Sequence, residues 1–247
     1  MPRPLALITG GTSGIGYAVA QKLVHTNDLA LSYLSNHDRA HAAADTLHTI
    51  DPGARIELLP GRIQSVESAH CRLENVIERL DSHPSTVILC SGSTSNSLFL
   101  SAPIEHQLTL LHEHLIASMA IVHAVLPRMQ AVQYGRIVCM SSVAAHYAWL
   151  GKSGYAAAKA GIEEFVKTLA QETQGNGISI FGIAPGLIAT PLTEQQIATL
   201  GTGIQKIPAM RVGQPHEIAD LIYFLCQRFS TGLSGHTFVV DGGLSLR

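Results

Sequence analysis

Short apolar runs and amphipathic helical stretches alternate along the whole 247-residue chain, and few architectures accept that rhythm. Strand-like runs fall at 5–9, 29–33, 55–59, 86–90, 136–140, 178–183 and 237–240. Helical patterns fill the intervals at 14–25, 38–49, 65–80, 104–130, 155–173 and 215–227. Most strand-like runs are predominantly apolar rather than strictly alternating, so each strand needs cover on both faces. A parallel sheet of about seven strands, flanked by helices, supplies that cover. The expected fold class is α/β, with one doubly wound domain over residues 1–247, because no linker or repeat divides the chain. Only 190–208 departs from the rhythm. It is rich in Thr, Gln and Gly, follows a strand end, and reads as a lid over a ligand crevice.

The first strand runs into Thr9-Gly10-Gly11-Thr12-Ser13-Gly14-Ile15-Gly16 and then a helix. Gly10 permits a tight turn, Gly14 admits a pyrophosphate close to the backbone, and Gly16 lets the helix lie near the strand. Free N–H groups at the helix start face the anion. The spacing is G-x-x-x-G-x-G rather than G-x-G-x-x-G, but the strand–turn–helix setting makes the domain Rossmann-like. Gly10, Thr12, Ser13, Gly14, Ile15 and Gly16 are therefore candidate cofactor ligands. No Lys-Ser/Thr follows, which disfavours a P-loop nucleotidase.

Tyr155-Ala156-Ala157-Ala158-Lys159 opens a later helix. Residues four apart share a helical face, so phenol and ammonium reach one site. A phenol with a pKa of about 10 is a poor proton shuttle at neutral pH, and an adjacent ammonium is expected to lower that value. Ser142 follows the fifth strand at the carboxyl edge of the sheet, where its hydroxyl can hold a carbonyl. Together the three groups suit proton transfer to a ketone oxygen receiving a hydride.

Composition narrows the function classes. Apolar residues make up 46% and charged residues 14%, a thin charge supply that suggests coverage by other subunits. The net charge of −2, with no basic stripe, argues against nucleic acid. The apolar run at 5–9 is too short for a signal-peptide core, and His112, Glu113, His114 and His123 interrupt the longest apolar helix. No membrane is expected, and a cytoplasmic location is. Cys71, Cys90, Cys139 and Cys226 follow no C-x-x-C pattern and fit a reducing compartment. His112 and His114 lie on opposed helical faces and no H-E-x-x-H occurs, so no metal is expected.

Over nearly its whole length the chain resembles the classical short-chain dehydrogenase/reductases. The resemblance rests on the glycine loop, Gly135-Arg136-Ile137-Val138, Ser141-Ser142, Tyr155 to Lys159, Pro185-Gly186, Thr190 and Val240-Asp241-Gly242-Gly243. Ile207 to Gly213 and the last strand are most similar to bacterial 3-oxoacyl-[acyl-carrier-protein] reductases. The resemblance implies hydride transfer from NAD(P)H to a ketone, with a 3-oxoacyl thioester as the expected substrate. It implies Tyr155 as acid, Lys159 as ribose ligand and tuner of Tyr155, and Ser142 as the group that orients the carbonyl. Pro185, Gly186, the backbone near Ile188 and the Thr190 hydroxyl would hold the nicotinamide end. A homotetramer is the implied assembly, with the helices at 108–130 and 155–173 pairing across an interface. A different small ketone, or a weakly active scaffold subunit of a hetero-oligomer, is the alternative.

Three departures stand out. Leu89-Cys90-Ser91-Gly92 replaces the family's N-N-A-G, keeping only Gly92. Arg62, followed by Ile63, stands where an aspartate usually meets the adenine. His114 stands where an asparagine holds a water that links the lysine to solvent; an imidazole can relay protons there, or simply pack. No acid ends the second strand. A carboxylate about 4 Å from a 2′-phosphate would cost on the order of 4 kcal/mol at an effective dielectric near 20, so its absence favours NADP over NAD. Ser35, Asn36 and Arg39 are the candidate phosphate ligands. Many NADP-preferring relatives carry Arg or Lys at the position of Ser13, which argues the other way. An acyl carrier protein is a possible partner, although Gln133 and Asn176 occupy positions where its reductases present arginines; Arg128 and Lys167 are the substitutes. Trp149, in the loop before Tyr155, can wall an acyl pocket.

Overall fold

The structure, a computed structural model, describes residues 3–199 and 201–246. Met1, Pro2 and Arg247 of the expected domain, and Leu200 of the expected lid, lie outside the described residues. Seven strands form one parallel sheet: β1 (Leu5–Thr9), β2 (Asp28–Tyr33), β3 (Ile56–Pro60), β4 (Pro84–Leu89), β5 (Gly135–Met140), β6 (Ile178–Pro185) and β7 (Thr237–Val240). Their order is β3-β2-β1-β4-β5-β6-β7. The order reverses between β1 and β4, which places a ligand crevice beyond the carboxyl ends of those strands.

Helices cover both faces. On one side α1 (Gly14–Leu23), α2 (His37–Ile50) and α8 (Pro215–Leu225) bury Val19, Leu23, Leu47, Ile218 and Ile222 against Ile8, Leu31, Ile88 and Phe181. On the other, α3 (Val66–Leu80), α5 (Ala117–Ala131) and α6 (Ser153–Glu172) bury Val76, Val125, Met129 and Val166 against Leu7, Val87, Ile137 and Ile180. Successive strand residues thus feed opposite layers, which is why the central strands read as largely apolar runs. Each buried aliphatic side chain contributes roughly 1.5–3 kcal/mol.

The long helix expected over 104–130 is not continuous. α4 (Ile104–Leu111) and α5 are joined by a π-turn at His112–Ile116, in which the Ala117 N–H donates to the His112 carbonyl. The extra residue redirects His112, Glu113 and His114, whose side chains bond outside the helix. The span Ile104–Ala131 is long and apolar enough to cross a membrane, despite its histidines. One side of it packs on the sheet, with Ile121, Val122, Val125 and Met129 buried, while Leu108, Ile116 and Met119 are exposed.

After β6 the chain forms α7 (Glu194–Ala198) and a 3₁₀ turn at Gly201–Lys206. The base of this excursion is pinned by Ala189 N–H to the Gly213 carbonyl (2.9 Å) and Gly213 N–H to the Leu187 carbonyl (2.9 Å).

Candidate active site

The crevice at the β1/β4 switch is a cavity of about 400 Å³. One wall is the turn between β1 and α1, with Gly10, Thr12, Ser13, Gly14, Ile15 and Gly16 all lining it. Gly10 adopts φ +63°, and a Cβ on Gly16 would overlap the Gly10 carbonyl oxygen, so the close turn requires glycine at both. Thr9 braces the turn from below by accepting the Ser91 N–H on its hydroxyl (3.0 Å).

Arg39, Arg62, Ile63, Gly92 and Thr190 also line the cavity. Among the described residues the Arg39 guanidinium has no carboxylate partner. Ser35 and Asn36 are not among the lining residues. Asn36 caps α2, its side-chain oxygen accepting the Arg39 N–H at 2.9 Å, because a short amide at a helix start satisfies an orphan donor and leaves its own N–H groups free. Ser32, Tyr33, Leu34, Ser93, Glu113 and Leu192 line the cavity as well. Sequence reasoning missed these residues.

The departures at Arg62 and His114 belong to one network, joined through Glu113 and Ser93. Arg62 pairs with Glu113 at 2.6 Å, and Glu113 also accepts the Ser93 N–H (3.1 Å) and the Ser93 hydroxyl. The Ser93 carbonyl lies 2.7 Å from His114 Nε2. Since a carbonyl only accepts, Nε2 carries the hydrogen and Nδ1 is a bare acceptor, buried without a partner. A Cβ on Gly92 would overlap this imidazole, so Gly92 makes the space that His114 fills. Burial, helped by the nearby Lys159 charge, pushes His114 down to about 3. The imidazole is neutral at physiological pH, with one donor and one acceptor nitrogen.

Tyr155 lies beside this ring, edge to face at 5.1 Å between centroids. Lys159 Nζ donates to the Met140 carbonyl (2.6 Å) and lies 5.5 Å from the Tyr155 ring centre. Lys152, one turn before Tyr155, places its own Nζ 5.4 Å from the same centre. Burial holds Lys159 down at about 8. The Tyr155 phenol is raised rather than lowered, because burial outweighs the Ser142 hydrogen bond that opposes it. The lowering expected from Lys159 is therefore not found in the protein alone, and the phenol keeps its proton. Ser142 accepts the Ala144 N–H at 3.2 Å, and Ser141 ties β5 to α6 through the Lys159 carbonyl (3.1 Å) and Glu163 (2.7 Å). Buried Glu163 also bonds His146 Nε2 at 2.9 Å, which secures the loop that follows Ser142.

At the far end, Thr190 and Thr193 share a hydroxyl contact (3.0 Å), and Ile188 is buried where it bridges to Gly213. Pro185 and Gly186 continue from the carboxyl end of β6, outside the lining of the main cavity. Burial pushes the Cys90, Cys139 and Cys226 thiols up to about 12, leaving them inert.

Comparison with known proteins bears on the family and the fold. The family model described as enoyl-(acyl carrier protein) reductase matches residues 10–245. A 3-oxoacyl-[acyl-carrier-protein] reductase of Pseudomonas aeruginosa is 31% identical, over 97% of this chain and 96% of that protein. Its counterpart in Haemophilus influenzae is 30% identical over the full length of both. Among solved structures, levodione reductase superposes with a TM-score of 0.91 at 26% identity, covering 98% of each chain. Acetoin dehydrogenase from Enterobacter cloacae gives 0.88 at 26%, over 100% of this chain and 96% of that one.

Proposed function

The chain belongs to the short-chain dehydrogenase/reductases, an oxidoreductase of the 3-oxoacyl-[acyl-carrier-protein] reductase type, and from that premise we propose that it uses NADPH to reduce a 3-oxoacyl thioester to the 3-hydroxyacyl form. The observation that carries the reading is the convergence of Ser142, Tyr155 and Lys159, which lie outside the lining of the glycine-walled cavity but adjoin it through His114, packed against the lining residue Gly92. The close turn at Gly10 and Gly16 fits a dinucleotide pyrophosphate, and unpaired Arg39 fits a 2′-phosphate. Thr12, Ser13, Gly14, Ile15, Arg62, Ile63 and Gly92 would line the same cofactor. Pro185, Gly186, Ile188 and Thr190 would hold its nicotinamide end. When bound, the cofactor supplies the hydride.

The chain's own residues do the rest. Ser142 donates a hydrogen bond to the ketone oxygen and orients it. Tyr155, kept protonated by burial, gives its proton to that oxygen as negative charge develops there. Lys159 supports the phenolate that remains and holds the ribose. His114 offers its bare Nδ1 as an acceptor and acts as a positioning residue beside the phenol. The segment 190–208 closes over the crevice as a lid.

A homotetramer fits the apolar outer face left by Leu108, Ile116 and Met119 beside the small exposed Ala157 and Ala160 of α6. Exposed Arg128 is the better candidate contact for an acidic acyl carrier protein, because Lys167 is already paired with Glu164 (3.3 Å). A cytoplasmic setting follows from this reading. The likeness to a levodione reductase and an acetoin dehydrogenase keeps a small ketone as the second reading.

Nicotinamide fluorescence titration, followed by turnover of 3-oxobutanoyl thioester, tests the proposal. We expect tighter binding of NADPH than NADH and consumption of cofactor with the thioester. Binding of neither cofactor would overturn it in favour of a scaffold.

A further inference from the structure

Lys152 has a partner problem that the reaction as described does not solve. The residue is 5% exposed, yet among the described residues no carboxylate pairs with it. Its Nζ donates to the Thr94 hydroxyl at 2.5 Å, which uses one of three N–H donors. A buried ammonium left this way is costly to desolvate, so such groups are normally found paired. Burial accordingly lowers the Lys152 pKa.

Its position is as specific as its burial. Residues 152, 155 and 159 fall three and four apart, so they stack along one stripe with the phenol in the middle. The two ammonium groups lie 5.4 and 5.5 Å from the Tyr155 ring centre. Lys159 is held on the sheet side by the Met140 carbonyl, and Lys152 is held by Thr94, on the loop that follows β4. Gly151, at φ +79°, packs on the backbone of Asn96 and Ser97, which fixes the turn that delivers Lys152. Around this end of the site lie exposed Leu98, Phe99 and Leu150, an apolar surface suited to a hydrocarbon chain.

We propose that Lys152 forms a cationic subsite beside Tyr155 that takes the acyl oxygen at C1 of a 3-oxoacyl substrate while Tyr155 and Ser142 take the oxygen at C3. The inference rests on the 3-oxoacyl reading and deepens it: the enzyme recognises a 1,3-dicarbonyl unit, not an isolated ketone. The C1 oxygen comes from a thioester carbonyl or from a free carboxylate, and either accepts from an ammonium.

The test compares the parent with Lys152→Met on three substrates: a 3-oxobutanoyl thioester, free 3-oxobutanoate, and an alkyl methyl ketone lacking the C1 oxygen. Loss of a charge-assisted hydrogen bond predicts a KM increase of about 10- to 100-fold for compounds with the C1 oxygen. The plain ketone keeps its KM within about twofold, and the effect of removing a charge beside Tyr155 falls on kcat for all three substrates alike. Whichever of thioester and carboxylate loses more identifies the source of the oxygen. Calorimetric binding of the 3-hydroxybutanoyl thioester to the NADPH-bound protein should weaken by a similar factor, a readout independent of turnover. Thr94→Val, which frees Lys152 but keeps its charge, should give a smaller loss in the same direction and guards against a folding defect in Lys152→Met. An equal KM increase on all three substrates, or none on any, would overturn the subsite while leaving the 3-oxoacyl reading intact. A parent enzyme that reduces only the plain ketone overturns that reading and the subsite together.

Discussion

One wall of the cleft, the turn between β1 and α1, is made of backbone: Gly10 and Gly14 hold positive φ, and Gly16 presses on the Gly10 carbonyl. The facing wall, from the loop after β4 and the π-turn, is made of side chains that fit only as a set. Arg62 needs Glu113, Glu113 needs Ser93, and the Ser93 carbonyl meets His114, which needs the space at Gly92. A backbone wall tolerates no side chain and so constrains each position separately. A side-chain wall tolerates exchange, provided the partners change together.

The largest effect should come from breaking the backbone wall. Gly16→Val forces a Cβ into the Gly10 carbonyl oxygen, with no flexible neighbour to yield. A loss of about 3 kcal/mol in stability is expected, together with loss of cofactor binding, measured by denaturant unfolding and nicotinamide fluorescence. A variant that binds NADPH normally would remove the distinction between the walls.

The side-chain wall should instead break cooperatively. Gly92→Ala meets the His114 imidazole and a left-handed backbone (φ +147°), for an expected cost of about 2 kcal/mol. Replacing His114 by Ala in the same chain relieves the clash, so the double variant should recover about 1 kcal/mol relative to additivity. Strict additivity would mean that His114 and Gly92 are not coupled. Glu113→Gln should have the smallest effect. Arg62 is 41% exposed on its side chain, so losing the pair costs about 1 kcal/mol and weakens NADPH roughly threefold by titration. A tenfold effect would mean that Glu113 touches the cofactor itself.

The same contrast explains what the sequence made legible. The sheet, its seven strands and the glycine turn follow from hydrophobic period and glycine spacing, which report on backbone alone. Ser142, Tyr155 and Lys159 follow from helical spacing plus a strand end. Glu113 was invisible because its role depends on a π-turn that a 3.6-residue period does not anticipate. Lys152 precedes Tyr155 by three residues, a spacing open to inspection, but a lysine at a helix start reads as surface until its 5% exposure is known. His114 was singled out, yet its neutrality comes from burial beside Lys159, a tertiary fact. Asn36 was offered to a phosphate, and its helix-capping role, which uses only its side-chain oxygen, was not read from the sequence.

Everything in the chemistry turns on whether the Tyr155 hydroxyl is the proton source. The direct measurement is the rate of NADPH oxidation with a 3-oxobutanoyl thioester by Tyr155→Phe, in protein first confirmed to bind NADPH as the parent does. Removing the donor while keeping the ring should lower kcat by about 10²- to 10⁴-fold. A rate equal to the parent's would contradict the account, whatever the rest of the cleft does.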